Sequence, residues 1–121
     1  MKFTVFDIET DGLLEQLTRL HCLVAHVYED NQFLKGYVIT NPWELANFLS
    51  TQDILVGHNV KRYDFPAIKK LTGYEHKGQI LDTLALSWYL YPNEAEHGLE
   101  VWGERVGVAK PFIKDWENLE T

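Results

Sequence analysis

A chain of 121 residues, 45% of them hydrophobic, is long enough for one domain around one core and too apolar to belong with disordered sequences. Its formal charge of −7 argues against a general phosphate-binding surface, and no apolar run approaches the length of a membrane span, so no membrane partner is expected. One cysteine, Cys22, excludes an internal disulfide, and no basic segment followed by an apolar stretch opens the chain; both fit a cytoplasmic protein.

The first strand spans Lys2 to Ile8, with Phe3, Val5 and Phe6 as the bulk of a buried strand. At its end stand Asp7 and Glu9. Side chains two apart on a strand share a face, so these carboxylates converge. Adjacent anions repel, and each raises the other's pKa unless a cation lies between them. A hard divalent cation such as Mg²⁺ removes that penalty. The competing reading is a solvated acidic strand exit. Thr10-Asp11-Gly12 is a turn signal, and Asp11 to Arg19 reads as a loop with Leu13, Leu14 and Leu17 as apolar points.

Leu20 to Tyr28 is a second strand, in which Cys22 reads as a small core residue. Glu29-Asp30-Asn31 forms a hairpin turn, and Gln32 to Thr40 a third strand. Asn41-Pro42 caps a helix over Trp43 to Leu49, with Leu45, Phe48 and Leu49 on one face. Ile54-Leu55-Val56 suits a buried parallel strand. A second helix begins near Tyr63 or Asp64, tolerates Pro66 in its first turn, and runs to Leu71, where Thr72-Gly73 stops it. Ile80-Leu81 is a short strand. Asp82-Thr83 caps a helix from Leu84 to Leu90, ended by Tyr91-Pro92-Asn93, and Leu99 to Val106 is a fourth helix. The resulting order, β-β-β-α-β-α-β-α-α, is an α/β fold. It implies a mixed sheet of three antiparallel strands followed by parallel ones, with flanking helices, as in ribonuclease-H-like proteins.

The stretch from Val56 to Ile68 carries the second group of polar residues. Asp64 falls near a helix N-terminus, where an anion is favoured, and in this topology it reaches toward Asp7. Asn59 suits a sugar or phosphate. An ordinary helix cap (Asp64) and ordinary turn chemistry (His58, Asn59) are the competing readings. Lys61, Arg62, Lys69, Lys70 and Lys77 place five of the eleven basic residues between positions 61 and 77, within and just beyond this stretch. That run is either a solvated face or a guide for a nucleic-acid strand.

Asp7-Ile8-Glu9-Thr10 resembles the first motif of DEDD-type 3′–5′ exonucleases. Gly57-His58-Asn59 with Tyr63-Asp64-Phe65-Pro66-Ala67-Ile68 resembles their second. The fuller likeness is to the proofreading domain of family-A DNA polymerases of short-tailed phages. Leu20-His21-Cys22, the run Leu81 to Ser87 and the run His97 to Gly107 look like further landmarks, so the resemblance covers essentially the whole chain. It implies hydrolysis of a single-stranded DNA 3′ end with Mg²⁺ or Mn²⁺, two ions in the complete family site. It makes Asp7, Glu9 and Asp64 the catalytic metal ligands. Thr10, Leu13, His58, Asn59, Lys61 and Arg62 would contact nucleic acid, Leu13 as a wedge against the terminal bases. Asp82 reads as a structural cap close to the site. The location implied is the host cytoplasm of a phage-encoded protein.

The chain departs from the family at its end. Asp115-Trp116-Glu117 is similar to the lead-in to the third motif, but no Tyr-x-x-x-Asp follows, and Glu117 and Glu120 do not match it. The expectation is a single exonuclease-like domain over 1–121 that lacks the family's C-terminal helix, holds one ion, and is weak or inactive alone. A homo-oligomer or a separate polymerase chain would then cover the gap. The alternative is a catalytically dead module that keeps the fold and binds nucleic acid or a polymerase.

Overall fold

In the computed structural model, which describes residues 1–106, five strands form one mixed sheet. Strands β1 (Lys2–Thr10), β2 (Leu20–Glu29) and β3 (Gln32–Ile39) come first, then helix α1 (Pro42–Ser50) and strand β4 (Ile54–Gly57). A single π turn, Val60–Asp64, leads into α2 (Phe65–Thr72). Strand β5 (Gln79–Asp82) and helices α3 (Thr83–Leu90) and α4 (Leu99–Val106) complete the described chain. The strand order is β3-β2-β1-β4-β5, with β1 antiparallel to β2 and parallel to β4. Strand β1 is therefore central, and the parallel half begins at its edge, as the sequence implies. Among the described residues no helix is long and apolar enough to cross a membrane.

Local chemistry accounts for the punctuation. Asp30 and Asn31 both take positive φ, 50° and 65°, the conformation a tight two-residue hairpin requires. Asn41 caps α1 by accepting from Trp43 N at 2.8 Å and Glu44 N at 3.2 Å, with Pro42 in the first turn. Gly73, at φ 80°, ends α2.

The core lies between one face of the sheet and the pair α1 and α2. Phe6 and Ile8 meet Leu23, Ala25, Leu45, Leu49, Leu55, Ala67 and Ile68 there, all essentially buried. Thr4 shares that face and bonds its hydroxyl to Gln52 at 2.6 Å. Strand alternation then puts Val5 on the opposite face with Asp7 and Glu9, and Val5 is 39% exposed. The expectation of a strand buried through Val5 is thus corrected. Across the sheet Val38 lies opposite Val24, and Val24 opposite Asp7. Val24, Val38 and Leu81 are exposed on this same side. Cys22 pairs with Glu9 and is half-buried beside the acids, so it is not a core residue.

Helix α4 is tied to α3 through polar contacts. Trp102 Nε1 donates to Ser87 Oγ at 2.7 Å, and Ser87 Oγ lies 2.6 Å from His97 Nδ1. The segment 107–121, with Phe112, Ile113, Asp115, Trp116, Glu117 and Glu120, lies outside the described residues.

Gly57 is where β4 hands over to the second motif. A Cβ there would sit 2.2 Å from Val60 Cγ1 and 3.1 Å from the Phe6 carbonyl. Val60 is fully buried and cannot swing away. Gly57→Ala is expected to cost about 1–3 kcal/mol through overpacking, read as a lowered denaturation midpoint with an unchanged m-value.

Candidate active site

The exit of β1 and the π turn build the site together. Beyond Gly57, strand β4 no longer pairs with β1, and a side chain takes over: Asp64 Oδ2 accepts from Ile8 N at 3.3 Å. Asn59 starts this turn with a left-handed backbone, φ 60°, and Val60 plugs into the core. The π turn adds a residue relative to an α-helical turn, a feature frequent at functional sites. Asp64 is only 4% exposed. Its pKa is pushed up to about 7, first by burial and then by the charge of Asp7, with a smaller push from Glu9; the Ile8 N–H opposes the rise. Cys22 feels the same field, its thiol raised by burial, then by Glu9 and Asp7.

Three carboxylates from two segments therefore influence one another at the end of the central strand. Burial and like charge favour a proton on Asp64. Among the described residues, no three His, Cys, Asp or Glu side chains are arranged to hold a metal ion as they stand. The donor set itself, carboxylate oxygens with a protonated member among them, matches a hard divalent cation, which would take the proton's place.

Asp82 supports this turn from below. Its carboxylate accepts from Asn59 N at 2.9 Å, Lys61 N at 3.1 Å and Leu84 N at 3.0 Å. Burial alone would raise its pKa; the backbone donors of Lys61, Asn59, Leu84 and Ala85 together outweigh it and hold the carboxyl below its ordinary value. Asp82 is thus a structural post for the second motif as well as the cap of α3. The Asp82-Thr83 pair signals the cap in the sequence, but nothing local signals the reach back to Asn59 and Lys61.

The residues expected to meet nucleic acid divide into two groups. Leu13 is 72% exposed, and Lys61 and Arg62 are exposed on the π turn. Asn59 is half-buried at the start of that turn. His58 and Thr10 are occupied. His58 Nδ1 lies 2.9 Å from Thr83 Oγ1, and Nε2 donates to the His97 carbonyl at 2.9 Å. Both ring nitrogens face protein partners, so His58 is a strut between β4, α3 and the segment before α4. The Thr10 hydroxyl lies within hydrogen-bond reach of both the Gly12 carbonyl, at 2.9 Å, and the Tyr63 phenol. The basic run shrinks as well: Lys69 pairs with Glu75 at 2.6 Å, and Lys70 donates to the carbonyls of Leu14 at 3.0 Å and Glu15 at 3.2 Å.

A family model for the RNase H superfamily matches residues 4–109. The chain belongs to the RNase H superfamily. It is also 29% identical, over 92% of its length, to DNA-directed DNA polymerases of Enterobacteria phage T3 and Escherichia phage T7. It spans about a fifth of those relatives, 20% of each. Among solved structures, its fold resembles exonuclease X in complex with 5′ overhanging duplex DNA, at a TM-score of 0.69 and 13% identity, covering 87% of this chain and 73% of that one. It also resembles E. coli exonuclease I in complex with a dT13 oligonucleotide, at a TM-score of 0.67 and 14% identity, covering 88% of this chain and 36% of that one. At these identities the structural likenesses speak to the fold alone.

Proposed function

We propose that this chain is a 3′–5′ exonuclease domain of a phage-type DNA polymerase, acting on single-stranded DNA 3′ ends with Mg²⁺ or Mn²⁺. The observation that carries the reading is the convergence of Asp7, Glu9 and Asp64 where β1 leaves the sheet, in a chain similar to phage polymerases. Asp7 and Glu9 offer oxygens on the open face, and Asp64 offers a buried carboxylate that exchanges its proton for a cation. When bound, the cation neutralises phosphate charge and lowers the pKa of a water. Leu13, presented in solvent, contacts terminal bases. Asn59 hydrogen-bonds a terminal nucleotide, and Lys61 and Arg62 attract the phosphodiester backbone. A polymerase region, in the same polypeptide or another, is the partner this reading implies.

The second reading is a module that binds nucleic acid or a polymerase without hydrolysis. It rests on the exposed Leu13, Lys61 and Arg62, which serve binding whether or not hydrolysis follows. A 5′-labelled single-stranded oligonucleotide incubated with the chain and Mn²⁺ decides between them. Progressive shortening from the 3′ end that stops on chelation supports the exonuclease. Binding without any shortening, even with the chain in large excess over the oligonucleotide so that weak hydrolysis would register, supports the module.

A further inference from the structure

Tyr63 and Asp64 are neighbours in the π turn, and both side chains land on the exit of β1. Asp64 takes the Ile8 N–H, while the Tyr63 phenol donates to the Gly12 carbonyl at 2.7 Å and bonds to the Thr10 hydroxyl. Six residues beyond Asp64, the Lys70 ammonium on α2 holds the carbonyls of Leu14 and Glu15. Leu13 lies between these two latches. A third set of bonds closes the loop on itself. The Asp11 carboxylate accepts from Thr18 N at 2.8 Å and Arg19 N at 3.0 Å, and the amides of Gln16 and Leu17 return to the Leu13 carbonyl at 2.9 and 2.8 Å. Leu17 is buried while Leu13 stands 72% exposed. The loop is therefore pinned on both sides of one protruding apolar side chain.

We propose that Tyr63 is a positioning residue: its hydroxyl locks the turn bearing Leu13 to the segment bearing Asp64, so that base contact and carboxylate keep a fixed spacing. The inference rests on the exonuclease reading for its purpose and on the hydrogen bonds for its mechanism. The phenol suits this role because its ring packs at the edge of the core while its hydroxyl reaches a loop carbonyl. Holding reacting groups in register is worth much in rate, and small displacements away from the chemistry are costly. A phenylalanine keeps the ring and removes only the latch.

The test is Tyr63→Phe in the full chain, read two ways. By hydrogen exchange, the amides of Gln16, Leu17 and Thr18 should exchange about three- to tenfold faster in the variant, the loss expected for one hydrogen bond, while amides in β2 stay unchanged. Unchanged exchange in the loop overturns the latch, whatever the chain does to DNA. By kcat/KM on a single-stranded 3′ end, Tyr63→Phe and Leu13→Ala should each lower the value, and the double variant should be no worse than Leu13→Ala alone. Effects that simply multiply would show that Tyr63 does not act through Leu13 and overturn the positioning role. If the unaltered chain hydrolyses no 3′ end even in large excess over the oligonucleotide, the exonuclease reading fails instead, and the exchange measurement still decides the latch.

Discussion

Replacing Asp7 by alanine should remove Mn²⁺ binding detectable by calorimetry and lower 3′ hydrolysis more than about 100-fold, since losing even an outer-shell partner of a metal ligand typically costs 10–100-fold. The fold should survive. Asp7 is exposed on the open face of β1, and the core is built from Phe6 and Ile8 on the other side. Loss of Asp7 also removes the larger of the two charges that raise the pKa of Asp64, so that carboxyl should titrate at a lower pH in the variant. Asp7→Asn, of nearly the same shape, should behave like Asp7→Ala, because charge and ligand oxygen are lost rather than packing. Mn²⁺ binding that persists in either variant would mean that the cation sits elsewhere.

Much of this site is legible in the sequence because it obeys short-range rules. Asp7 and Glu9 share a face by the two-residue period of a strand, and the hairpin at Asp30-Asn31, the cap at Asn41 and the stop at Gly73 are local conformational choices. Long-range partners are not legible in this way. Nothing near His58 announces that Thr83 and His97, 25 and 39 residues later, will take both of its ring nitrogens. Nothing near Lys70 announces that it will hold loop carbonyls 56 and 55 residues earlier rather than phosphates. Val5 escapes for another reason. The content of β1 reads the same whether one face or both are covered, and which face is the more exposed among the described residues depends on where α1 and α2 settle. The π turn is equally silent, since it depends on the close approach of Val60 to Gly57 and on Asp82 accepting from two successive parts of the loop.

Asp64 should make both stability and cation binding depend on pH, in opposite senses. Its carboxyl titrates near 7 in the folded chain, against an ordinary value of 3.8. The folded state therefore binds a proton that the unfolded state has released between those values. Stability from this group is fully present below about pH 4 and declines as pH rises through 7, by up to about 4 kcal/mol for a group this buried. Metal-free protein should accordingly be more stable at pH 5 than at pH 8. Asp64→Asn, which cannot lose a proton, should remove that part of the slope. Cation binding runs the other way, because the ligand is the deprotonated carboxylate. Below about pH 7, Mn²⁺ affinity should rise close to tenfold per pH unit and then level off. At pH 6, calorimetry in buffers of different ionisation enthalpy should find close to one proton released per ion bound. Affinity that stays flat between pH 5.5 and 7.5, with no proton released, would show that Asp64 keeps its proton and takes no part in holding the cation.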